Sequence, residues 1–505
     1  MKYLVVAALF AAAPLYAQGT GESTEPYDAA SKSNEELLDK ADDDSDPWVQ
    51  RPCDLGVPLF TELARRVPED GYPARGLLFA GALCDDENDD YAAGYAKIRE
   101  LEARWPEYDF NDVGFYFAYR TENAADYIAR LRASSDGQLG KLTSGRFWPA
   151  RRMINQQGLE GDFRKLMLEW ADHKRIVHLP FELQAGVTAT AMRAAVAEGR
   201  NEMVPGLLVD IRSPMSYIDF LADRELESIW PLLEERVGPN FDRIADEYAF
   251  WATGRLENHP RDRDRFSEAA HSLHFAGRFE EAIALARQWR ERDGAMSVIE
   301  EGDAWALNIE AYAHDALGER TQADAVFDQL AALEPEKHPW VVNFVINRAS
   351  RLVGQERWQE GLEASSLARG VAEKWGSTYA KMIIARDHAC ALNALGRTGE
   401  IEAELQFLRD NRETSYEIAS QGLLCVGRRE EAVAFLLEGI GDERFRSNAL
   451  EALQSDDFEL FYTASKLPEP TELLDENPEL KEAFDRYARA IPEEFIPTAT
   501  LRAKR

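Results

Sequence analysis

A phrase that recurs through the second half of the chain constrains its fold more than any other feature. A glycine that can end one amphipathic helix is followed, five residues later in the clearest copies, by a small residue near the start of the next helix. These copies span residues 277–282 (GRFEEA), 318–323 and 427–432, and looser copies surround Gly354 and Gly396. Such a recurrence predicts a stacked series of antiparallel helical hairpins.

The small and aromatic residues of these copies resemble the tetratricopeptide repeat (TPR) family, whose unit is a helix-turn-helix of 34 residues. The residues that carry the resemblance fall in two matching sets, namely Ala270, Phe279 and Ala282, and then Ala311, Ala323 and Phe327. The resemblance implies an all-α, right-handed superhelical array (a solenoid) of antiparallel hairpins, with Ala282, Ala323 and Ala432 at close helix crossings. It covers about residues 263–440 well and residues 50–260 weakly.

The match to the TPR pattern is incomplete. Successive turn glycines lie 41, 36, 42 and 31 residues apart, and Glu310 stands where an apolar residue is usual. Several hairpins are therefore expected to have longer helices or loops than the family standard. The family's motifs define a fold and carry no catalytic residues over to this chain.

Five regions are predicted along the chain. Residues 1–17 have the basic start, apolar stretch and small-residue end of an export signal, which predicts a periplasmic or secreted protein. Residues 18–48 contain ten acidic residues and few large apolar ones, so we expect a disordered acidic tail. A degenerate helical-repeat region is expected over 49–260, the TPR-like array over 261–465, and a proline-containing segment with one short helix over 466–505.

The charge of the chain restricts its partners. Its formal net charge of −33 argues against nucleic-acid binding, because an acidic surface repels phosphate backbones. Solubility of an exported protein and attraction to a basic partner both explain such a charge. After the export signal no stretch is apolar enough for an integral membrane segment.

Four cysteines occur in two sequence-local pairs. Cys53 and Cys84 are 31 residues apart, and Cys390 and Cys425 are 35 residues apart. Each gap is about one helical repeat, so each pair is expected on neighbouring hairpins, where an oxidising compartment allows a disulfide. Buried free thiols are the alternative.

Signatures of metal, cofactor or catalytic sites are missing from the sequence. It has no HExxH, GxSxG or phosphate-binding loop, and His271 and His274 lack a carboxylate that would complete a metal site. No metal or cofactor is therefore expected. The dipeptide Glu227-Ser228 resembles the catalytic pair of cell-wall lytic transglycosylases, but the glycine-rich and aromatic elements of their catalytic domain do not follow it.

A basic island between Lys141 and His178 is the strongest candidate for a binding surface. It holds eight Lys and Arg against four Asp and Glu. Its centre concentrates residue types that dominate interface energies, and the candidate partner-binding residues are Arg146, Trp148, Arg151 and Arg152. The alternative is that Phe147 and Trp148 belong to the core and that the arginines solvate the start of a helix.

These features together predict an exported, non-enzymatic, TPR-like scaffold or adaptor. Its partner is expected to be a protein or peptide, bound in the concave groove that the first helices of stacked hairpins line. The alternative function is a cell-envelope hydrolase or lyase, acting on peptidoglycan, whose site is carried by the helical solenoid. Nothing in the sequence identifies the partner.

Overall fold

The computed structural model describes residues 27–41, 47–67, 71–458 and 465–504. The predicted export signal lies outside these residues, as does the part of the predicted acidic tail that precedes residue 27. Every regular element in the described residues is helical, apart from one isolated antiparallel bridge between Asp223 and Ala488. The all-α prediction is therefore confirmed.

The chain divides into two compact units, the first ending at Ile211 and the second beginning at Arg212. This boundary precedes the one predicted at residue 260. The α-helices of the first unit are α1 (Asn34–Ala41), α2 (Pro47–Gln50), α3 (Val57–Arg66), α4 (Gly71–Glu87), α5 (Tyr91–Arg104), α6 (Asn111–Arg120), α7 (Ala124–Ala133), α8 (Asp136–Leu139), α9 (Ser144–Gln156), α10 (Glu160–Asp172), α11 (Phe181–Ala197) and α12 (Val204–Leu208).

The second unit contains the region with the recurrent glycine phrase. Its α-helices are α13 (Pro214–Ala222), α14 (Trp230–Val237), α15 (Asp242–Asn258), α16 (Arg263–Phe275), α17 (Phe279–Arg290), α18 (Glu301–Ala316), α19 (Arg320–Ala331), α20 (Val341–Gly354), α21 (Trp358–Trp375), α22 (Thr378–Ala394), α23 (Ile401–Asp410), α24 (Tyr416–Cys425), α25 (Arg429–Gly441), α26 (Arg446–Glu451), α27 (Glu472–Glu476), α28 (Pro478–Asp485) and α29 (Thr498–Ala503).

Helices α16 to α26 pack in chain order. Each packs on the next one, and α16, α20, α22 and α24 also pack on the helix two further along the chain. Helix α15 packs on α16, so the second unit includes a helix that precedes residue 260. Within the described ranges, no helix combines the length and apolar character needed to cross a bilayer.

The alanines expected at close helix crossings are buried. Ala282, Ala323 and Ala432 are each 0% exposed, as the repeat pattern predicts. The looser copy after Gly396 differs, because its small residue Ala403 is exposed. In the copy after residue 354, a Cβ added to buried Gly361 would lie 2.6 Å from the Val353 side chain.

We expect the substitution Ala323→Leu to lower the free energy of unfolding by about 1–3 kcal/mol, because extra methyl groups overpack a closed crossing. Chemical denaturation followed by circular dichroism measures the loss. Ala403→Leu, the same change on an exposed face, is the matched control and should leave stability nearly unchanged. Equal losses in both variants would contradict a close crossing at Ala323.

Most predicted turn glycines adopt the conformation that a turn requires. The backbone φ angle is positive at Gly277, Gly318, Gly396 and Gly427, a region that side chains disfavour. Gly354 is the exception, since it is the last residue of α20 and Glu356 takes the positive φ angle instead. A Cβ at Gly354 would lie 3.1 Å from Oγ of Ser465, whose neighbour Lys466 donates its N–H to the Gly354 carbonyl at 2.8 Å.

The prediction of a disordered tail is wrong for residues 27–41. Leu37 of α1 is fully buried in one apolar cluster with Leu59 and Phe60 of α3. The Arg66 guanidinium donates to main-chain carbonyls of this segment, including that of Lys32 at 2.7 Å. The prediction used the average composition, which is acidic, and gave no weight to Leu37, whose burial anchors α1. The remaining residues of the predicted tail before 47 lie outside the described residues.

Both predicted cysteine pairs are disulfides. Cys53 is bonded to Cys84 and Cys390 to Cys425, with Cα atoms 4.7 Å and 4.9 Å apart, within the usual range for a disulfide. The second bond joins α22 to α24. No free cysteine remains, because all four cysteines of the chain are used.

The C-terminal segment has more structure than the one short helix predicted. One of its helices is α28, which begins at Pro478, and the Asn477 side chain caps it by accepting the N–H of Leu480. Helices α27 and α29 lie on either side along the chain. Leu480 and Phe484 are buried in the cluster that α22 to α26 form, so this segment belongs to the core of the second unit.

Candidate functional site

The predicted partner-binding residues of the basic island all lie on α9, where the Arg151 guanidinium lies 5.8 Å from the centroid of the Trp148 ring. Arg146 and Arg152 are exposed. Trp148 is half-buried against Phe147, at 5.0 Å between ring centroids, and a Cβ on Gly186 would lie 2.5 Å from its ring. The alternative reading of Phe147 and Trp148 as packing residues therefore fits the structure, and partner binding at this island stays a prediction.

Ion pairs neutralise part of the island's charge. Arg151 and Arg164 both approach the Glu160 carboxylate, at 3.3 Å and 3.2 Å. Burial and the charge of Arg193 lower the pKa of Arg151, although Glu160 opposes them. Arg175 likewise pairs with an acidic neighbour, Asp136, at 2.9 Å. Three of the island's eight basic side chains are therefore paired with acidic neighbours.

The two histidines of α16 are packing residues. His274 is 1% exposed, and its ring lies 5.1 Å from that of Phe279. Burial lowers the pKa of His274 to about 3 and that of His271 to about 4. In the described part of the chain, no group of three His, Cys, Asp or Glu side chains is placed to hold a metal ion.

We expect the second unit to lose stability below pH 6.5 because of His274. Its pKa is lower in the folded than in the unfolded chain, so the unfolded chain binds the proton first as pH falls. At pH 5 this costs about 2 kcal/mol relative to pH 7 or above. Urea denaturation between pH 7.5 and 5 measures it, and His274→Phe should remove about half of the pH dependence that the two histidines cause, because His271 contributes a similar amount. An unchanged slope in that variant would contradict the assignment.

A ladder of buried polar side chains links α18, α20, α22 and α24. At one end, Asn347 of α20 donates to the Asn308 side chain of α18 at 3.2 Å. In the middle, Ser350 of α20 donates to the Asp387 carboxylate of α22 at 2.6 Å. Asn308 and Asp387 are each 0% exposed, so these hydrogen bonds are made without water.

Arg386 is the central donor of this ladder. Its guanidinium binds the Asp387 carboxylate at 2.7 Å and the Gln421 side chain of α24 at 2.8 Å. Gln421 in turn donates to the main-chain carbonyl of Pro468 at 3.5 Å. The ladder thus fixes the register of successive helices and ends on the C-terminal segment. Its hydrogen bonds join side chains of neighbouring helices, although the amide nitrogen of Asn308 is buried without a hydrogen-bond partner among the described residues.

Residues 486–491 contact two parts of the second unit, namely its first helices around Ala222 and Trp230, and the region around Gln454. The Arg489 N–H donates to the Ala222 carbonyl at 2.9 Å, and its guanidinium lies over the Trp230 ring at 3.8 Å. The side chain of Gln454 donates to the Arg489 carbonyl at 2.9 Å and accepts the Ile491 N–H at 3.3 Å. Both hydrogen bonds of the Gln454 amide are therefore made with main-chain atoms.

Residues 496–502 continue along the same unit. The Asn240 side chain donates to the Ile496 carbonyl at 2.9 Å. Further on, Arg502 donates to the Gly277 carbonyl and pairs with Glu280 at 3.2 Å. Helix α29 packs on α16 and α18. The second unit therefore holds residues 486–502 of its own chain largely through the main chain, and this stretch includes a short 3-10 helix (Glu493–Phe495) as well as α29.

A cavity of about 510 Å³ adjoins this segment. Its lining combines the turn around Gly318 with Arg320, Gln355 and residues of the C-terminal segment, including Arg502. The Asp315 carboxylate in its wall is paired with Arg351 at 2.7 Å. A cavity of this volume can hold a few side chains of a ligand. Residues 496–502 therefore do not fill the surface beside them completely.

Glu227, from the Glu-Ser dipeptide, is placed unlike a general acid. Its side chain is 58% exposed and pairs with Arg224 at 3.2 Å in a short 3-10 helix. Catalytic carboxylic acids are usually shielded from water so that they remain protonated. Leu226, Ile229 and Trp230 around it are buried, as expected for an ordinary helix face.

Sequence reasoning missed both the polar ladder and the surface that holds the C-terminal segment. One signal for the ladder was present, since Arg386, Asp387 and His388 interrupt an otherwise apolar run over residues 382–392. The basic residues near the end of the chain were a signal for the surface that holds them.

Comparison with known proteins assigns no function to these features. No protein-family model matches the chain, and a search of curated proteins finds no match either.

Proposed function

We propose that the protein is an exported, TPR-like scaffold that binds a protein or peptide partner on its second unit. In this proposal α16 to α26 form a right-handed superhelix of antiparallel hairpins, and the molecule acts by binding rather than by catalysis. The two disulfides are consistent with an oxidising compartment, periplasmic or extracellular.

One observation carries the proposal, namely that the second unit holds residues 489–496 of its own chain through hydrogen bonds to main-chain atoms. The side chains of Gln454 and Asn240 bind peptide groups rather than particular side chains. A surface that binds the main chain of one segment in this way is chemically suited to bind another. The envelope-enzyme alternative has no comparable support, since Glu227 is exposed and paired.

Site-specific photocrosslinking in the cells that make the protein tests the proposal. A photoreactive residue at Arg320, exposed in the cavity wall, should yield discrete adducts identified by mass spectrometry. The matched control places the same residue at Leu367 of α21, which is 54% exposed and does not line the cavity. Absence of adducts at Arg320, or the same adducts at both positions, would contradict the proposal.

A further inference from the structure

The segment of residues 486–505 has a charge opposite to that of the protein that holds it. It contains five basic and two acidic residues, a net charge of +3, in a chain with a net charge of −33. Its cations pair with carboxylates of the second unit, namely Arg489 with Glu234 at 2.8 Å, Arg502 with Glu280 at 3.2 Å, and Lys504 with Asp457. The surface beneath the segment is therefore selective for positive charge.

The backbone of the segment is extended at its two internal prolines, which flank a short 3-10 helix over Glu493–Phe495. Pro492 and Pro497 have φ and ψ angles of −59° and 142°, and −57° and 142°, which are those of polyproline II. Between the prolines, the Phe495 and Ile496 N–H groups donate within the segment, to the carbonyls of Pro492 and Glu493. The Ile491 N–H and the Ile496 carbonyl instead bind the surface, through Gln454 and Asn240 on either side of Pro492.

Three small or apolar side chains anchor the segment at intervals of four residues. Ile491 is 6% exposed, Phe495 5% and Ala499 1%. At Ala499 the fit to the surface is close, because a Cβ on Gly277 would lie 3.4 Å from the Ala499 backbone. Buried apolar anchors, main-chain clamps and peripheral ion pairs are the elements of a peptide-binding site.

We propose that this surface is the receptor site for a basic, proline-containing peptide of a partner protein, and that residues 486–504 occupy it as an intramolecular ligand. This inference rests on the proposed function and names its partner class. A tethered segment has an effective concentration in the millimolar range, so a partner peptide binds only the fraction of molecules whose segment has been displaced.

The test measures binding of a fluorescent peptide with the sequence of residues 486–505 to the full-length protein by anisotropy. The double substitution Arg489→Ala and Phe495→Ala weakens the intramolecular segment and leaves the receptor surface intact. We expect this variant to bind the peptide at least about tenfold more tightly than the wild type, because its site is vacant more often.

Charge reversal then assigns the peptide to the proposed site. In the weakened variant, Glu234→Arg should abolish tight binding, and a peptide carrying Arg489→Glu should restore it. Glu235→Arg, at an exposed neighbouring position, is the matched control and should leave binding unchanged. Restoration by the complementary charge distinguishes a specific contact from a general loss of structure.

Two results would overturn the inference. One is absence of peptide binding to a weakened variant that keeps its helical circular dichroism, which would make residues 486–504 a purely structural clasp. The other is dimerisation by exchange of C-terminal segments, which would make a second copy the occupant. Should the double variant unfold, the milder Arg502→Glu, at a side chain 39% exposed, replaces it with the same expectation. Adducts at Arg320 combined with no peptide binding would refute this inference alone and leave the scaffold function standing.

Discussion

Asp387→Ala should lower the free energy of unfolding of the second unit by about 3–5 kcal/mol, because it leaves a buried guanidinium without its carboxylate. Asp387 is 0% exposed and Arg386 8% exposed, and their side chains meet at 2.7 Å. The same substitution also removes the acceptor of the Ser350 hydroxyl. Guanidinium chloride denaturation followed by circular dichroism measures the loss.

Two comparisons separate this effect from a general loss of helix. Glu400→Ala removes an exposed carboxylate from its pair with Arg397 and should have a much smaller effect. The double substitution Arg386→Met and Asp387→Leu removes both charges, and we expect it to recover most of the stability. A loss under Asp387→Ala no larger than that of Glu400→Ala would show that the ladder is not a buried network.

Removing the disulfide between Cys390 and Cys425 by a double substitution to alanine should cost about 4 kcal/mol. The bond closes a loop over a sequence separation of 35 residues, and the estimate follows from the chain entropy that it removes from the unfolded state. Thermal and chemical denaturation of the variant, beside the wild type without reductant, measure the effect.

The control for this prediction is the wild type under a strong reductant, which should lose at least as much stability because both disulfides open. Thiol titration of the denatured, unreduced protein should find no free thiol, since both pairs are bonded. Four reactive thiols per chain would refute both bonds, and with them this stability estimate.

Local patterns predicted the helical fold well because their causes are local. A glycine with positive φ ends a helix, and a small residue permits the next helix to approach, so Gly277 with Ala282 and Gly427 with Ala432 follow from short stretches of sequence. The prediction for residues 27–41 was wrong because it averaged composition. The average gave no weight to Leu37, whose burial depends on residues of α3.

The candidate site was less accessible to sequence reasoning because its contacts are not local. Arg386 meets Gln421 across 35 residues, about one repeat, and no motif specifies such a pair. Arg489 donates to the Leu221 carbonyl across 268 residues. The local charge count that singled out the basic island did not include its acidic partners, among them Asp136, which precedes it in the chain.

Hydrogen exchange of the main-chain amides of Arg489 and Ile491 tests most directly whether the second unit holds this segment by its main chain. In the full-length protein both amides should exchange about a hundredfold or more slowly than in an unstructured peptide, because they donate to Ala222 and Gln454. Gln454→Leu should accelerate exchange at Ile491 and leave Arg489 protected. Exchange of both amides at the unstructured rate, in a protein whose α18 and α20 amides remain protected, would contradict the account.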